Sequence, residues 1–297
     1  MERLRLLLPG LLLPLGLSAC TGLIFQPESA HRLDPADYGV IYQDVHFEAS
    51  DGTRLHGWFI PATTADKRGT VVHAHGNAQN ISTHVASVAW LREHGYNIFA
   101  FDYRGYGHSA GTPSLAGIHR DTGAALAAAD RADDMPRARL ILLGQSMGGA
   151  TAVTTLAALA PEEQPGALVV DSAPRGYRRI AREKLASAWL TWPLQIPLSL
   201  LISAEFAAIE AAPELPAIPK LFIGNSRDRT VPFHHTRALH SAAAPPSDCW
   251  QLAIPGHIAT FAHPTLRRHL LGWLAANVPP VESPNHVAAS SCQPRLQ

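Results

Sequence analysis

Six short apolar runs, separated by stretches of helix-forming composition, constrain the fold of this chain more than any other feature. Continuous apolar runs of strand length are typical of parallel strands that are buried on both faces. The runs cover residues 70–76, 97–105, 139–146, 167–173, 220–226 and 249–256. The helical stretches cover residues 81–94, 115–132, 149–159, 234–243 and 264–277. The alternation predicts an α/β fold in which a mostly parallel, twisted sheet carries helices on both faces.

Two further segments add to this sheet. Residues 43–62, "QDVHFEASDGTRLHGWFIPA", alternate apolar and polar positions around Ser50-Asp51-Gly52, which predicts an N-terminal antiparallel hairpin. More than forty residues separate the runs that end at 173 and begin at 220, and many of them are Leu, Ile or Trp. We expect a short helical lid insertion there, at about 175–217, since insertions at strand ends build binding pockets in such folds. An additional packed helix pair is the alternative.

Composition narrows the function classes. Of 297 residues, 46% are hydrophobic, and 24 basic residues balance 24 acidic ones to a formal net charge of +0. We therefore expect no nucleic-acid partner, because such proteins carry a basic footprint. The chain has no H-E-x-x-H pattern, phosphate loop or paired-cysteine motif, so we expect no metal and no cofactor.

The N-terminus has the pattern of a signal peptide over residues 1–19. Arg3 and Arg5 precede an apolar stretch at 6–17, which is too short and too interrupted by Pro and Gly to span a membrane. Leu17-Ser18-Ala19-Cys20 resembles the bacterial lipobox, which implies lipid attachment at Cys20. The protein would then be anchored in the cell envelope outside the cytoplasmic membrane, at the periplasmic face or the outer membrane of a diderm bacterium. An ordinary signal peptide cut near Ala19 is the alternative.

The remaining boundaries follow from composition. Residues 20–37 are polar and contain proline, which indicates a tether, and the folded domain is expected over 38–279. Residues 280–297 are rich in Pro, Ser and Asn and are expected to be disordered. Cys249 and Cys292 would lie in an oxidising compartment and could pair, or Cys249 is a buried strand residue and Cys292 is free. Neither cysteine has a catalytic context.

The stretch Gly144-Gln145-Ser146-Met147-Gly148 carries the strongest chemical signal. It lies where a buried strand should end and a helix begin, which is the context of a nucleophile elbow. Glycine on both sides leaves room for a sharp turn that exposes the Ser146 hydroxyl above the strand ends.

A serine nucleophile needs a base within hydrogen-bond reach and an acid that orients the base. Asp228 follows the run at 220–226, and His257 follows the run at 249–256, so both are expected at the sheet edge that holds Ser146. Asp171 also ends a strand and is the alternative acid, and His263 is the nearest alternative base.

The reaction also needs two backbone donors for the oxyanion. The amide of Met147, at the start of the helix, is one candidate, because the first N–H groups of a helix lack intrahelical partners. The amide of Asn77, in the loop after the run at 70–76, is the other. We expect His75 to brace this loop rather than to take part in catalysis.

Five strings in order resemble the α/β-hydrolase superfamily: "HGNAQNIS", "FDYRGYGHSAGTPS", "GQSMGG", "RDRTVP" and "PGH". They are similar in particular to the branch that includes thioesterases that remove palmitate from proteins and serine-aminopeptidase-like hydrolases. The resemblance spans residues 38–277. It implies an α/β-hydrolase fold, Ser146 as nucleophile, Asp228 as acid, His257 as base, and Asn77 with Met147 as oxyanion donors. Asn225 and Ile258 depart from the usual pattern.

The expected function is that of a serine esterase, lipase or acyl-thioesterase acting by acyl transfer. The expected partners are a small-molecule or acyl-chain substrate and, through Cys20, a membrane. Two alternatives stay open: a serine peptidase of aminopeptidase type, and a hydrolase-fold lipoprotein without activity.

Overall fold

The computed structural model describes residues 24–133 and 135–278. Its strands are β1 (Gln26–Pro27), β2 (Gln43–Glu48), β3 (Arg54–Ile60), β4 (Gly69–Ala74), β5 (Ala78–Gln79), β6 (Tyr96–Asp102), β7 (Leu140–Gln145), β8 (Ala167–Asp171), β9 (Lys220–Asn225) and β10 (Ser247–Leu252). Its α-helices are α1 (Ile81–His84), α2 (Leu115–Ala132), α3 (Met147–Ala158), α4 (Tyr177–Ser187), α5 (Gln195–Leu200), α6 (Ala208–Ala211), α7 (His234–Ala242) and α8 (Pro264–Asn277).

Within those ranges, eight strands form one sheet in the order β10-β9-β8-β7-β4-β6-β3-β2. Neighbours from β10 to β6 are all parallel. β3 is antiparallel to β6, and β2 is antiparallel to β3, so the predicted hairpin is present at the N-terminal edge. The predicted α/β fold with its mostly parallel sheet is confirmed.

Each central strand is buried on both faces, which explains its continuous apolar sequence. On β4, Val72 belongs to the core beneath α2, α3 and α7, while its neighbour Val71 belongs to the core beneath α1 and α8. Side chains of a strand alternate between its faces, so one apolar run supplies both cores. The carboxyl ends of these parallel strands therefore converge on one edge of the sheet.

The helix predicted over 81–94 is wrong in type beyond its first turn. α1 ends at His84, and two 3₁₀ helices, Val85–Ser87 and Ala89–His94, continue the segment. Residues 81–87 are largely β-branched or serine. β-Branched residues lose side-chain freedom in an α-helix, and serine competes for its backbone hydrogen bonds.

Residues 24–37 differ from the tether that the sequence predicts, because they pack on the domain. β1 pairs in parallel with β5, Phe25 is buried, and Asn80 Nδ2 donates to the carbonyls of Glu28 and Ala30 at 3.0 and 2.7 Å. We call residues 24–32 the N-terminal arm. The predicted signal peptide, Cys20, Cys292 and the predicted tail lie outside the described residues, so the pairing of Cys249 stays a prediction.

The long interval before β9 forms a helical insertion. It contains α4, a 3₁₀ turn at Trp192–Leu194, α5 and α6, and α5 packs against α4. In residues 24–133 and 135–278, no helix combines the length and apolar character needed to cross a membrane.

Candidate active site

Ser146 lies on the sharp turn between β7 and α3. Its backbone has φ 54° and ψ −116°, a left-handed conformation that side chains other than glycine rarely adopt. The turn is tight because glycine lies on both sides: a Cβ on Gly148 would lie 2.0 Å from the Ala74 oxygen, and one on Gly144 would lie 2.4 Å from the Gly148 oxygen. The local sequence therefore produces the predicted elbow, with a half-buried Ser146 side chain at its tip.

His257 contacts both of the side chains that the sequence assigns to it. Its Nδ1 lies 2.6 Å from Asp228 Oδ2, and its Nε2 lies 2.8 Å from Ser146 Oγ. A carboxylate can only accept, so Nδ1 carries the proton and Nε2 is left to accept from the serine hydroxyl. This arrangement makes Nε2 a base positioned for the Ser146 proton.

The loop after β9 holds Asp228 in place. Asp228 is buried, and its Oδ1 accepts from the amides of Thr230 and Val231 at 2.7 and 3.0 Å. These bonds leave Oδ2 for His257. The carboxylate is thus oriented by main-chain donors rather than by further side chains.

Asn225, one of the two departures from the family pattern, joins the loops that carry Asp228 and His257. Its Oδ1 accepts from the amides of Arg227 and Ile254 at 3.0 and 3.2 Å, and its Nδ2 donates to the Gly256 oxygen at 3.1 Å. Sequence reasoning marked Asn225 only as unusual, because its bonds cross between two strand ends that are far apart in the chain.

Asp171, the alternative acid, is bonded elsewhere. Its Oδ1 accepts from Ser172 Oγ and Thr260 Oγ1, both at 3.0 Å, and its Oδ2 accepts from Gln145 Nε2 at 3.2 Å. Complete burial raises the pKa of Asp171, against the opposing effect of these donors. The structure pairs His257 with Asp228 and gives Asp171 a bracing role at the end of β8.

Gln145, which precedes the serine, is a positioning residue that sequence reasoning missed. Its Oε1 accepts from Ser87 Oγ at 2.9 Å and lies 3.0 Å from His73 Nε2. Burial lowers the pKa of His73 to about 3, so the ring is neutral. The sequence did carry a signal for this role: Gln145 is a polar residue at the end of a buried apolar strand, and such a side chain needs hydrogen-bond partners.

The two predicted oxyanion donors lie beside Ser146. Met147 is the first residue of α3, where the helix dipole and free N–H groups favour negative charge. A Cβ on Gly76, next to Asn77, would lie 3.7 Å from Ser146 Cβ, so this loop is in contact with the elbow. Asn77, Met147, Ser146 and His257 line the same cavity.

The N-terminal arm holds the Asn77 loop. Asn77 Oδ1 accepts from the amide of Gln26 at 3.2 Å and from Tyr106 Oη at 2.9 Å, and its Nδ2 donates to the Ile24 oxygen at 2.5 Å. The Asn77 side chain therefore secures the arm. The sequence contained no signal for this contact, because it depends on main-chain groups of the arm.

His75 is buried at the base of the same loop, as expected for a bracing residue. Its Nδ1 donates to the Gly76 oxygen at 2.7 Å, and burial lowers its pKa to about 3. Its Nε2 lies 3.9 Å from Asp102 Oδ1. Asp102 in turn accepts from the amide of Ile81 at 2.9 Å, which ties the loop to the start of α1.

The cavity above Ser146 has a volume of about 480 Å³. Its walls come from the arm, the Asn77 loop, the elbow, α4 and the His257 loop. Apolar side chains predominate: Ile24, Met147, Pro174, Tyr177, Ile180, Ala181, Val231 and Ile258. The described residues that line it include the cation Lys184 and no carboxylate. A larger concavity of about 900 Å³ lies between α2, α3 and residues 204–211 and contains none of the three candidate triad residues.

Two other groups of described side chains are spaced closely enough to hold a metal ion: His31 with His56 and His108, and Glu183 with His234 and His235. Neither group includes Ser146 or a residue that contacts it.

A family model described as "Serine aminopeptidase, S33" matches residues 65–197, which include Ser146 but end before Asp228. The uncharacterized protein YfhR of Escherichia coli (strain K12) is 36% identical over 223 residues, which cover 74% of this chain and 75% of that protein. The alpha/beta hydrolase domain-containing protein WAV2 of Arabidopsis thaliana is 30% identical over 224 residues, covering 72% of this chain and 71% of that protein.

Solved structures share the fold. The Pyrococcus furiosus esterase Pf2001 superimposes with a TM-score of 0.69 at 21% identity, covering 86% of this chain and 100% of that chain. The esterase EaEST of Exiguobacterium antarcticum gives a TM-score of 0.55 at 19% identity, covering 80% of this chain and 99% of that chain. From its sheet order, its elbow and its sequence relatives together, the chain belongs to the α/β-hydrolase superfamily.

Proposed function

We propose that this protein is a serine hydrolase that cleaves carboxylic esters or thioesters through an acyl-Ser146 intermediate. The observation that carries the proposal is the continuous chain of contacts from Asp228 Oδ2 to His257 to Ser146 Oγ, at 2.6 and 2.8 Å. A nucleophile, a base and an orienting acid at these distances are what acyl transfer to serine requires.

The reaction follows from these positions. Ser146 Oγ attacks the carbonyl carbon as His257 Nε2 takes its proton, and Asp228 stabilises the imidazolium that forms. The amides of Met147 and Asn77 donate to the oxyanion. His257 then protonates the leaving group, and a water molecule that the same nitrogen deprotonates releases the acid and restores Ser146.

The cavity lining supports an acyl-chain substrate. Apolar side chains from α4 and the arm bury hydrocarbon favourably, at about 0.8 kcal/mol per methylene. An aminopeptidase, the alternative from the same branch, would need a carboxylate to bind the α-ammonium group of its substrate, and the described lining supplies none. We therefore favour esters and thioesters over peptides.

A fluorophosphonate probe tests the nucleophile. We expect the purified protein to be labelled, Ser146→Ala to lose the label, and Ser226→Ala to keep it. Ser226 is the matched control because it directly follows β9 at the same sheet edge but donates to the Leu252 carbonyl instead. Label that persists in Ser146→Ala, or no label on the wild type, would reject the serine-hydrolase proposal.

A substrate series tests the class. Nitrophenyl esters of increasing chain length are compared with acyl-thioesters and aminoacyl anilides by kcat/KM. We expect kcat/KM to rise with chain length until the cavity is filled. Faster turnover of the anilides would favour the peptidase instead.

We extend the proposal to location: the chain is a lipoprotein attached through Cys20 and held in the cell envelope. The support is the lipobox-like sequence and the arm, which starts four residues later at the rim of the cavity. Metabolic labelling with a fatty-acid analogue should mark the wild type and Cys249→Ala but not Cys20→Ala. Equal labelling of Cys20→Ala would contradict the anchor.

A further inference from the structure

The exposed large apolar side chains of the described residues are concentrated in one short segment. Eight of the eleven lie between residues 189 and 201, in the insertion. They are Trp189, Leu190, Trp192, Leu194, Ile196, Leu198, Leu200 and Leu201. Trp189 is 87% exposed and Trp192 is 60% exposed, although tryptophan contributes the largest apolar surface of any side chain. We call these eight residues the apolar patch.

The surrounding sequence separates the patch from ordinary surface. Residues 185–204 contain no charged side chain. Pro193 lies in the 3₁₀ turn and Pro197 in the first turn of the six-residue α5, so the segment forms two short helices rather than one long amphipathic helix. Exposed apolar side chains concentrated in one segment in this way mark an interaction surface.

The patch is connected to the cavity through α4. Tyr177 and Ile180 on α4 line the cavity, and α5 packs against the same helix. Arg179 and Arg182 on α4 are exposed, close in sequence to the uncharged segment. Apolar side chains that include tryptophan, next to basic side chains, are what the boundary of an anionic bilayer attracts.

The N-terminal arm begins at the rim of the same cavity. Ile24 lines the cavity and is held there by its carbonyl bond to Asn77 Nδ2. Cys20 precedes it by four residues, which span at most about 14 Å when fully extended. A lipid attached at Cys20 would therefore place a bilayer within reach of the cavity rim.

We propose that the apolar patch inserts into the boundary of an anionic lipid bilayer and orients the Ser146 cavity toward acyl chains in that bilayer. The orientation of the cavity toward acyl chains rests on the proposed function, in which Ser146 cleaves acyl esters or thioesters. The docking of the patch to a bilayer does not depend on catalysis. A bilayer is favoured over a second copy of the chain because Ile24, four residues after the proposed anchor Cys20, lines the same cavity as α4, and because α4 offers the exposed Arg179 and Arg182 to headgroups.

Tryptophan quenching tests the docking. The full chain, expressed with its own N-terminal segment, is reconstituted into vesicles of phosphatidylglycerol and phosphatidylethanolamine that carry brominated acyl chains. We expect quenching of the wild type and loss of that quenching in Trp189→Phe/Trp192→Phe, since Trp58, Trp90 and Trp273 are buried in the protein core and the half-buried Trp250 lies on β10, outside the patch. Quenching that is absent from the wild type, or unchanged in the double variant, would overturn the proposal. Quenching would be absent from the wild type if the chain instead dimerised through the patch.

Activity separates the two proposals. We expect Trp189→Ser/Trp192→Ser/Ile196→Ser to keep the wild-type rate on a water-soluble short-chain ester but to lose roughly tenfold or more on a long-chain ester embedded in vesicles. Ile41→Ser, a change at a 76% exposed residue outside the insertion, is the matched control and should keep both rates. Quenching without esterase activity would reject the proposed function and retain the docking, and equal loss on both substrates would reject the orienting role.

Discussion

Ser146 has a backbone conformation that persists only when its surroundings impose it. A non-glycine residue in such a region costs about 1–3 kcal/mol, which the packing of β7 and α3 must offset. The conformation keeps the hydroxyl at the cavity, within 2.8 Å of His257. At this scale the sequence predicts the sharp turn correctly, because the paired glycines that the turn requires are part of the same pentapeptide.

Asp228 and Asp171 lie at the ends of neighbouring strands, and we assign them different roles: Asp228 orients His257, and Asp171 braces the loop. We expect Asp228→Asn to lower kcat on a soluble ester by about 10³–10⁴-fold, because the amide can no longer hold His257 in its productive tautomer. Asp171→Asn should lower kcat by less than about tenfold, since Asp171 bonds to Ser172, Thr260 and Gln145 rather than to His257.

Steady-state kinetics and thermal unfolding of both variants check this prediction. The unfolding data show that each protein is folded when its rate is measured. The reverse order of effects would make Asp171 the acid and contradict the assignment of Asp228.

At the scale of elements, the elbow depends on the close approach of α3 to β4. We expect Gly148→Ala to destabilise the fold by at least about 3 kcal/mol, because its Cβ would meet backbone atoms of Ala74 and His75 at 2.0–2.5 Å, where nothing flexible can yield. Gly272→Ala, on α8 with open space around its Cβ, is the control and should stabilise by up to about 1 kcal/mol. Urea unfolding measures both changes, and equal effects would contradict the packing argument.

Elements with a clear periodic pattern of apolar residues were predictable from the sequence. Elements that are held only by pairing with a neighbouring strand were not. The predicted helix at 115–132 agrees with α2, which has a serine cap at Ser114 and a long amphipathic pattern. The arm has no such period: β1 is two residues long and is held by main-chain pairing to β5. Such pairing is independent of side-chain identity, so composition alone indicates a tether.

For the whole molecule, buried histidines set the response to acid. Burial lowers the pKa of His73 and His75 to about 3 and that of His119 and His235 to about 4. These rings stay neutral in the folded protein but bind protons below about pH 6.5 when it is unfolded. The unfolded state then holds more protons, so the free energy of unfolding falls as the pH is lowered from about 6.5 toward 4.

One histidine acts in the opposite direction. Burial disfavours the charged form of His56, but the Asp102 carboxylate 3.6 Å from Nδ1 and the hydrogen bond to Asp44 raise its pKa above the ordinary value. The stability it contributes is present below about pH 6.5 and is lost as the pH rises through its raised pKa. The four buried neutral rings outnumber it, so we expect the protein to be less stable at pH 5 than at pH 7.

His119 allows this expectation to be tested away from Ser146. Its ring contacts Thr154 and Thr155 beneath the larger concavity. We expect His119→Asn to flatten the dependence of unfolding free energy on pH between about 6 and 4.5 by up to about 1.4 kcal/mol per pH unit, the value for one proton. Urea unfolding at several pH values measures the slope, and an unchanged slope would contradict the assignment of a neutral buried ring.

The sequence by itself determined the order of the six parallel strands and the position of the elbow, and it predicted Ser146, His257 and the loop that carries Asn77 as parts of the site. It could do so because strand burial, helix period and glycine turns are local properties that appear directly in residue order. Only the tertiary structure shows which of the two carboxylates contacts His257, since Asp228 and Asp171 both lie at the ends of parallel strands and the contacts of each depend on the loop that follows. The tertiary structure also decided that the arm closes one side of the cavity and that the apolar patch faces outward, because those contacts join residues that are distant in the chain.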